Sequence, residues 1–141
     1  CIFVSMQKLK LQCRYLEEGD IDNANSWLQG WKLHALPKAM YPDTGLVLYN
    51  EEDNQPIYAG FVWKSNSRMA QIGFITRNPF YKTKLPKDTR KEFLKALIDY
   101  CKEMGFEYLI TWAENPLLVK DFKEIGLVES SNQCSELIAK I

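Results

Sequence analysis

The sequence lacks a charge excess of either sign. Lys and Arg together number 18, as do Asp and Glu, so the formal net charge of the 141 residues is zero. Proteins that bind nucleic acid or a membrane surface over a broad area usually carry a basic excess. We therefore expect no nucleic acid and no membrane as partner, and any basic site must be local. No apolar run approaches the roughly 20 residues of a membrane-spanning helix.

Metal-ligand pairs and a disulfide framework are also missing. Cys1, Cys13, Cys101 and Cys134 are far apart with no C-x-x-C, and His34 is the single histidine. Structural zinc takes closely spaced ligand pairs, so we expect no metal. Chains of this size seldom depend on disulfides, so we expect reduced thiols and a cytoplasmic location. One histidine also argues against a Ser-His-Asp triad.

The composition suits one folded domain. The chain is 46% hydrophobic and 13% aromatic, which is enough for a core and too apolar for disorder. Its length predicts a single domain over residues 1–141. The opening CIFVSMQKLK has the wrong order of charge and apolarity for a signal peptide. One alternative is that Met6 is the native start and that residues 1–5 are extra residues before it.

The first half of the sequence predicts a strand, a helix and an antiparallel meander. Partial alternation over 8–17 predicts the first strand, and Asp20 or Asp22 is a candidate N-cap of a short helix. Strands joined by short polar turns pair with their chain neighbours. Three such runs follow: GLVLYN (45–50), PIYAGFVW (56–63) and MAQIGFIT (69–76).

The second half begins with an amphipathic helix and a strand. Residues 88–105 carry apolar side chains at helical spacing, with Asp88 or Thr89 as candidate N-cap and Gly105 just past the end. FEYLITWA (106–113) is a short apolar run, typical of a buried parallel strand.

A second helix and a polar tail complete the pattern. In ENPLLVKDFKEIG, Asn115 is the candidate N-cap, Pro116 takes the first turn and Gly126 closes the helix. Residues 127–141 allow one or two final strands. The element order β-α-β-β-β-α-β-α-β predicts an α/β or α+β fold with helices on the faces of the sheet.

The segment between the third strand of the meander and the next helix is rich in lysine and has no glycine. Lys82, Lys84 and Lys87 stand in YKTKLPKD, directly before the predicted helix. The start of a helix attracts phosphate through its free N–H groups and its dipole. Sites that hold phosphate well usually use glycine, which lets the anion approach the main chain.

Residues 70 to 128 resemble the GNAT superfamily, the acyl-CoA-dependent N-acetyltransferases. GFITRNPFYK (73–82) is similar to the family's fourth strand, and Asn78, Pro79, Tyr81 and Lys82 stand where that strand commonly has an acidic or amide residue, proline, an aromatic residue and arginine. FLKALIDYCKEMGFEYLITWAEN and NPLLVKDFKEIGL are similar to the main helix, the fifth strand and the helix that follows.

The resemblance implies a fold and a cosubstrate. The fold is a mixed, mostly antiparallel sheet with helices on both faces, in which the fourth and fifth strands splay apart. Acetyl-CoA lies between them, with its pantetheine arm on the backbone of the fourth strand and its pyrophosphate at the start of the main helix. The resemblance therefore implies cofactor-binding roles for Phe74, Ile75, Thr76, Arg77, Lys82, Lys84, Lys87, Thr89, Arg90 and Asn115.

Two features depart from the family pattern. The glycine-containing pyrophosphate loop is replaced by KTKLPKDTRKEFL, in which Asp88 would repel an anion and lysines would attract it. Phe122 stands where the family often has a tyrosine that protonates the leaving thiolate, and phenylalanine has no proton to give. Tyr81, Tyr100 and Tyr108 are alternative acids if their hydroxyls face the cleft.

Each of these residues also has a purely structural interpretation. The lysines also fit a solvated surface loop, and capping alone accounts for Asn115. His34 lies in the region that helps to build the family's acceptor pocket. It is a candidate base because histidine is a common general base near neutral pH, but a surface histidine is the commoner case. Trp27, Trp31 and Tyr41 could line that pocket, although aromatic core packing is the commoner explanation of such residues.

The sequence thus supports several hypotheses of function. The leading one is an acetyl-CoA-dependent N-acetyltransferase that acts on an unknown small-molecule or peptide amine by direct transfer in a ternary complex. The alternative is a catalytically inactive GNAT-like scaffold that binds a protein partner. A weaker one is nucleic-acid binding through residues 82–91. The resemblance also leaves a homodimer open.

Overall fold

The fold is a five-stranded sheet with three helices. The structure, a computed structural model, describes residues 9–141. The sheet follows chain order: β1 (Leu11–Tyr15), β2 (Gly45–Asn50), β3 (Gln55–Lys64), β4 (Met69–Arg77) and β5 (Tyr108–Thr111). The helices are α1 (Asp20–Gly30), α2 (Thr89–Glu103) and α3 (Pro116–Glu124), with a short 3-10 turn at Lys38–Met40.

Strand pairing confirms the predicted mixed sheet. β1, β2, β3 and β4 are antiparallel to their neighbours, and β5 runs parallel to β4. The meander of three strands is therefore confirmed. The first strand is shorter than the predicted 8–17, and Lys8, Cys1 and the proposed start at Met6 lie outside the described residues.

Helices cover both faces of the sheet, as predicted. On one face, α2 and α3 bury Phe93, Leu97 and Phe122 against strand residues such as Val62 and Ile72. Burying each such side chain contributes about 1.5–3 kcal/mol. The opposite face carries a smaller core, in which α1 packs on β2 and β3. Its buried members are Ala24, Trp27, Tyr41, Val47, Ala59 and Phe61.

The helix starts agree only partly with the sequence signals. The Asn115 cap is confirmed, because its Oδ1 accepts from Leu117 N–H at 2.9 Å. Asp20 is not a cap: Gly19 takes that position with φ 94, and the Asp20 carboxylate accepts from Glu17 N–H and pairs with Arg14 instead. These bonds hold the chain where β1 turns into α1.

The C-terminal part differs from the sequence expectation in two ways. β5 is parallel as predicted but not buried, because it is the edge strand, and Tyr108 and Trp112 are 71% and 59% exposed. Only alternate residues such as Leu109 pack on the core. Residues 127–141 contain no strand in the structure, since exposed apolar side chains such as Val128 find no face to pack against.

Candidate functional site

The sheet opens between its two parallel strands. β4 and β5 pair only over Met69–Ile72 and Tyr108–Thr111. β5 then leaves the sheet toward α3, whereas β4 continues to Arg77 beside β3 alone. Residues 73–77 therefore present one edge of main-chain groups that no strand of the described chain pairs. Open clefts at the carboxyl ends of parallel strands are where ligands of such sheets bind.

A bulge lies at the start of this open edge. Gly73 faces Phe61 and Thr76 faces Ala59, so Phe74 and Ile75 together oppose the single residue between them on β3. Phe74 has φ 50, in the left-handed region that side chains rarely occupy. Its ring packs edge-on against Trp63 at 5.0 Å and Tyr41 at 5.2 Å. This packing holds the main chain of β4 in its strained conformation beside the gap.

The end of the open edge is fixed by hydrogen bonds. Asn78 N–H donates to Ile57 O at 2.7 Å, toward β3, so the alternation of antiparallel strands turns the polar groups of Arg77 to the open side. There the indole Nε1–H of Trp31 donates to Arg77 O at 2.8 Å. Thr76 is buried, and its hydroxyl donates to Phe74 O at 2.9 Å across the bulge.

The start of α2 faces the same gap and keeps free donors. Thr89 donates through both its N–H and its hydroxyl to Pro86 O, at 3.2 and 2.7 Å. Asp88 occupies the N-cap position, but its side chain makes no capping bond. Within residues 9–141, the N–H groups of Arg90 and Lys91 have no hydrogen-bond acceptor. Free N–H groups and the helix dipole together favour an anion here.

A cavity of about 330 Å³ joins these elements. Tyr58 of β3 and Arg77 of β4 form one side, residues 84–91 the second and Asp121 of α3 the third. Arg77, Lys84 and Lys87 have exposed side chains without an ion-pair partner among the described residues. The cavity thus offers cations and free N–H groups to a ligand.

Other cations of the cavity are already neutralised by α3. Arg90 Nε lies 2.6 Å from Asp121 Oδ2, and both side chains are largely buried. Lys91 pairs with Glu124 and, at 3.8 Å, with Asp88. The hydrogen bond from Lys91 lowers the pKa of Glu124, and the same bond raises the pKa of Lys91. These pairs tie α2 to α3 and leave fewer charges for a ligand.

The structure therefore brings together part of the predicted site. Arg77, Lys84, Lys87, Thr89 and Arg90 line the cavity. The backbone of Phe74, Ile75 and Thr76 forms the open edge, as described above. The roles of these residues toward a cofactor stay predictions.

The remaining candidates lie elsewhere. Lys82 is exposed and does not line the cavity, and Asn115 is engaged as a cap. Tyr81 is buried, and its hydroxyl accepts from Asn50 Nδ2 at 3.1 Å, which indicates a structural role. His34 is exposed in the loop after α1 and is also outside the cavity. Catalytic roles for Tyr81 and His34 stay predictions that their placement does not support.

Sequence reasoning missed Tyr58, Asp121 and the bond from Trp31 to Arg77. Tyr58 and Trp31 have no local motif, because their partners are far away in the chain. The position of Asp121 could have been predicted in part. It directly precedes Phe122, whose burial places this side of α3 beside α2, where Asp121 meets Arg90.

Buried thiols and metal ligands do not add to the site. Burial raises the pKa of the Cys101 thiol to about 11, so it is protonated at neutral pH. In the described part of the chain, no three His, Cys, Asp or Glu side chains are grouped as a metal site would require. Among the helices of residues 9–141, none has the length and apolarity to cross a membrane.

Solved structures share this architecture. Neither protein-family sequence models nor curated protein sequences match the chain. Among solved structures, glucosamine-6-phosphate N-acetyltransferase from Arabidopsis thaliana is similar with TM-score 0.63 and 19% identity, over 92% of this chain and 99% of that one. An acetyltransferase from Trypanosoma brucei gives TM-score 0.65 and 16% identity, over 92% and 100%.

A third similar structure is that of an enzyme whose name gives a protein as its substrate. The ribosomal-protein-S18-alanine N-acetyltransferase from Escherichia coli gives TM-score 0.65 and 18% identity, over 86% of this chain and 79% of that one. Identities this low establish the fold and not the substrate. The described chain thus has the fold of the GNAT acetyltransferases, as the resemblance of residues 70–128 implied.

Proposed function

We propose that the protein is an acetyl-CoA-dependent N-acetyltransferase that acts on an amine. The observation that carries the proposal is the unpaired main-chain edge of residues 73–77 beside the uncapped start of α2. An extended amide-containing chain can pair with such an edge, and a diphosphate can lie against free helix N–H groups. The fold shared with known acetyltransferases supports the same reading.

The diphosphate would be held without glycine. Arg90 and Lys91 supply main-chain N–H groups, and Lys84, Lys87 and Arg77 supply point charges around the cavity. Flexible lysines reach an anion from a distance, so close approach to the main chain is less necessary than in a glycine-rich loop. Asp88 opposes the anion, which we expect to cost affinity but not to abolish binding.

The chemistry would be direct transfer within a ternary complex. The neutral amine attacks the thioester carbonyl carbon, the N–C bond forms, and the C–S bond breaks to release the CoA thiolate. The amine proton passes to water or to a base, and the thiolate takes a proton in turn. Main-chain N–H groups on the open β4 edge would stabilise the developing oxyanion. Protonated Cys101 offers no covalent alternative.

Water is the proposed proton donor for the leaving thiolate. Phe122 is buried in the core and has no ionisable proton. Tyr58 carries a phenol, but it lines the cavity assigned to the diphosphate, and the pantetheine arm separates the diphosphate from the thiolate. We therefore expect Tyr58→Phe to leave kcat within twofold.

Isothermal titration of acetyl-CoA tests the proposal. Lys84→Ala/Lys87→Ala should weaken binding at least fivefold, because two charges leave the cavity. Lys64→Ala/Lys102→Ala is the matched control, since both lysines are exposed and outside the cavity. We expect no change for the control. Absence of binding by the unaltered protein up to 1 mM acetyl-CoA would refute the proposal.

One observation favours an inactive scaffold as the second candidate. Arg90 and Lys91 already pair with Asp121 and Glu124, so the cavity is partly neutralised without a ligand. A scaffold of this kind would bind a protein partner and would give no heat with acetyl-CoA. Micromolar binding of acetyl-CoA would rule it out. A cytoplasmic location belongs to either proposal.

A further inference from the structure

An exposed aromatic surface lies at the carboxyl end of β4. Trp31 and Phe80 are 50% and 63% exposed, and Leu33 is exposed beside Trp31. The two segments touch, because a Cβ placed on Gly30 would lie 2.6 Å from Pro79 Cγ and 3.0 Å from the Phe80 ring. Only glycine at position 30 allows this approach. The end of α1 and the turn after β4 therefore lie in contact, and each carries an exposed aromatic side chain.

Two lysines are close to these aromatic residues in the sequence. Lys32 follows Trp31, and Lys82 lies two residues after Phe80; both are exposed. Neither lines the cavity at the start of α2, and neither forms an ion pair with any residue from 9 to 141. The acidic residues of α1 are in its first turn, at the far end of the helix. We name Trp31, Lys32, Leu33, Phe80 and Lys82 the Trp31–Phe80 surface.

The surface is connected to the proposed reaction edge. The Trp31 indole donates to Arg77 O, the last carbonyl of β4. A chain lying across Trp31 would thus pass within a few residues of the gap where the acetyl group is expected. Trp31 thus lies at the carboxyl end of the open edge, and a peptide that contacts its ring can extend along that edge toward the gap.

We propose that the Trp31–Phe80 surface docks an acidic segment of a polypeptide, and that this polypeptide carries the acceptor amine. Asp or Glu side chains would pair with Lys32 and Lys82, and an apolar side chain between them would lie on Trp31 and Phe80. Aromatic residues of this kind are common anchors in interfaces. Docking stands on the surface itself, whereas the acceptor role rests on the proposed function.

Fluorescence anisotropy with matched peptides tests the docking. The probe is Gly-Glu-Phe-Asp-Glu-Leu-Glu with a free amino terminus and a fluorescein at its carboxyl end. Its counterpart is Gly-Lys-Phe-Lys-Lys-Leu-Lys with the same label. We expect the acidic peptide to bind at least fivefold more tightly in 50 mM salt, and the difference to shrink in 500 mM salt because the ion pairs are exposed.

Variants then locate the binding. Trp31→Ala/Phe80→Ala should weaken the acidic peptide at least fivefold, and Lys32→Glu/Lys82→Glu should abolish its advantage over the basic one. Tyr108→Ala/Trp112→Ala is the matched control, since these aromatic side chains are as exposed but lie on and after β5. Each variant is first checked for an unchanged Tm.

Several outcomes would overturn the proposal. Equal binding of the two peptides would remove the charge argument, and an equal effect of the Tyr108→Ala/Trp112→Ala control would remove the location. Tighter binding of a single-stranded dT10 oligonucleotide than of the acidic peptide would assign the surface to nucleic acid. Acetyl-CoA titration of the same samples reports the proposed function separately, so failure of docking and failure of cofactor binding are distinguishable.

Discussion

The protein contains two strand-to-helix junctions whose helix starts are capped differently. In each, a parallel strand ends and a helix begins at the same edge of the sheet: β4 leads to α2, and β5 leads to α3. At the second junction, the Asn115 side chain caps α3 and Pro116 removes a donor. At the first, α2 has no side-chain cap, and a lysine-bearing loop precedes it.

The difference shows how an uncapped helix start can provide a ligand-binding site. Satisfying the start of a helix internally stabilises the helix and leaves nothing for a ligand. Leaving N–H groups free costs stability, which packing of the same helix must offset. Phe93, the fifth residue of α2, is fully buried, whereas Leu117, the second residue of α3, is exposed.

The largest expected effect tests whether packing offsets the missing cap of α2. Phe93→Ala should lower the free energy of unfolding by about 3–5 kcal/mol, because it leaves a cavity under the uncapped helix. Leu117→Ala should change it by less than about 0.5 kcal/mol, because the side chain is exposed. Urea denaturation of both variants measures the difference. Similar losses would show that the N-terminal parts of the two helices are anchored alike.

A second change removes the ion pair between the two helices. Asp121→Asn should cost about 1–3 kcal/mol, because Arg90 loses a charged, largely buried acceptor at 2.6 Å. The same change frees a positive charge in the cavity, so acetyl-CoA should bind more tightly. Denaturation and titration thus move in opposite directions. Weaker acetyl-CoA binding would contradict the placement of the phosphates at this cavity.

A third change brings the capped junction closer to the uncapped one. Asn115→Ala should lower stability by about 1 kcal/mol through loss of the cap on α3. It should alter the Kd for acetyl-CoA by less than twofold, because Asn115 is outside the cavity. A larger loss of affinity at unchanged stability would restore the cofactor role that the resemblance implied.

The smallest effect concerns acid. The hydrogen bond from Lys91 lowers the pKa of Glu124 in the folded protein, so this bond adds stability above the unfolded pKa and loses it as the pH falls through the folded pKa. Lys91→Gln should therefore lower Tm at neutral pH, and the difference from the parent should shrink as the pH falls through the lowered pKa of Glu124. A Tm difference independent of pH would indicate lost packing instead.

The sequence predicted the fold well because its signals are local. The turns EEDNQ and KSNSR separate three strands, and Asn115 with Pro116 marks a helix start. β5 was wrongly expected to be buried, because an apolar run does not reveal whether a strand has one neighbour or two. The strands allowed in 127–141 depend on a packing face that local pattern cannot supply.

The site was less predictable because it is made of long-range contacts. The lysine loop could be found, and its position before a helix was informative. The ion-pair partners of the charged residues could not be found from the sequence, since Arg90 and its partner Asp121 are 31 residues apart in the chain. Lys82 lies outside the cavity, because the direction of an exposed side chain in a loop is not encoded in its spacing, and its cofactor role stays a prediction. The bulge at Phe74 also lacks a glycine that would have marked it.

That bulge has a consequence for divergence. The donors at the open edge of β4 belong to the main chain, and the bulge that presents them is held by the packing of the Phe74 ring. Side chains that take no part in this packing can be replaced one by one while the edge keeps its shape. Two descendants of one ancestor can therefore retain the same main-chain geometry with few identical residues, and a shared fold can outlast recognisable sequence similarity.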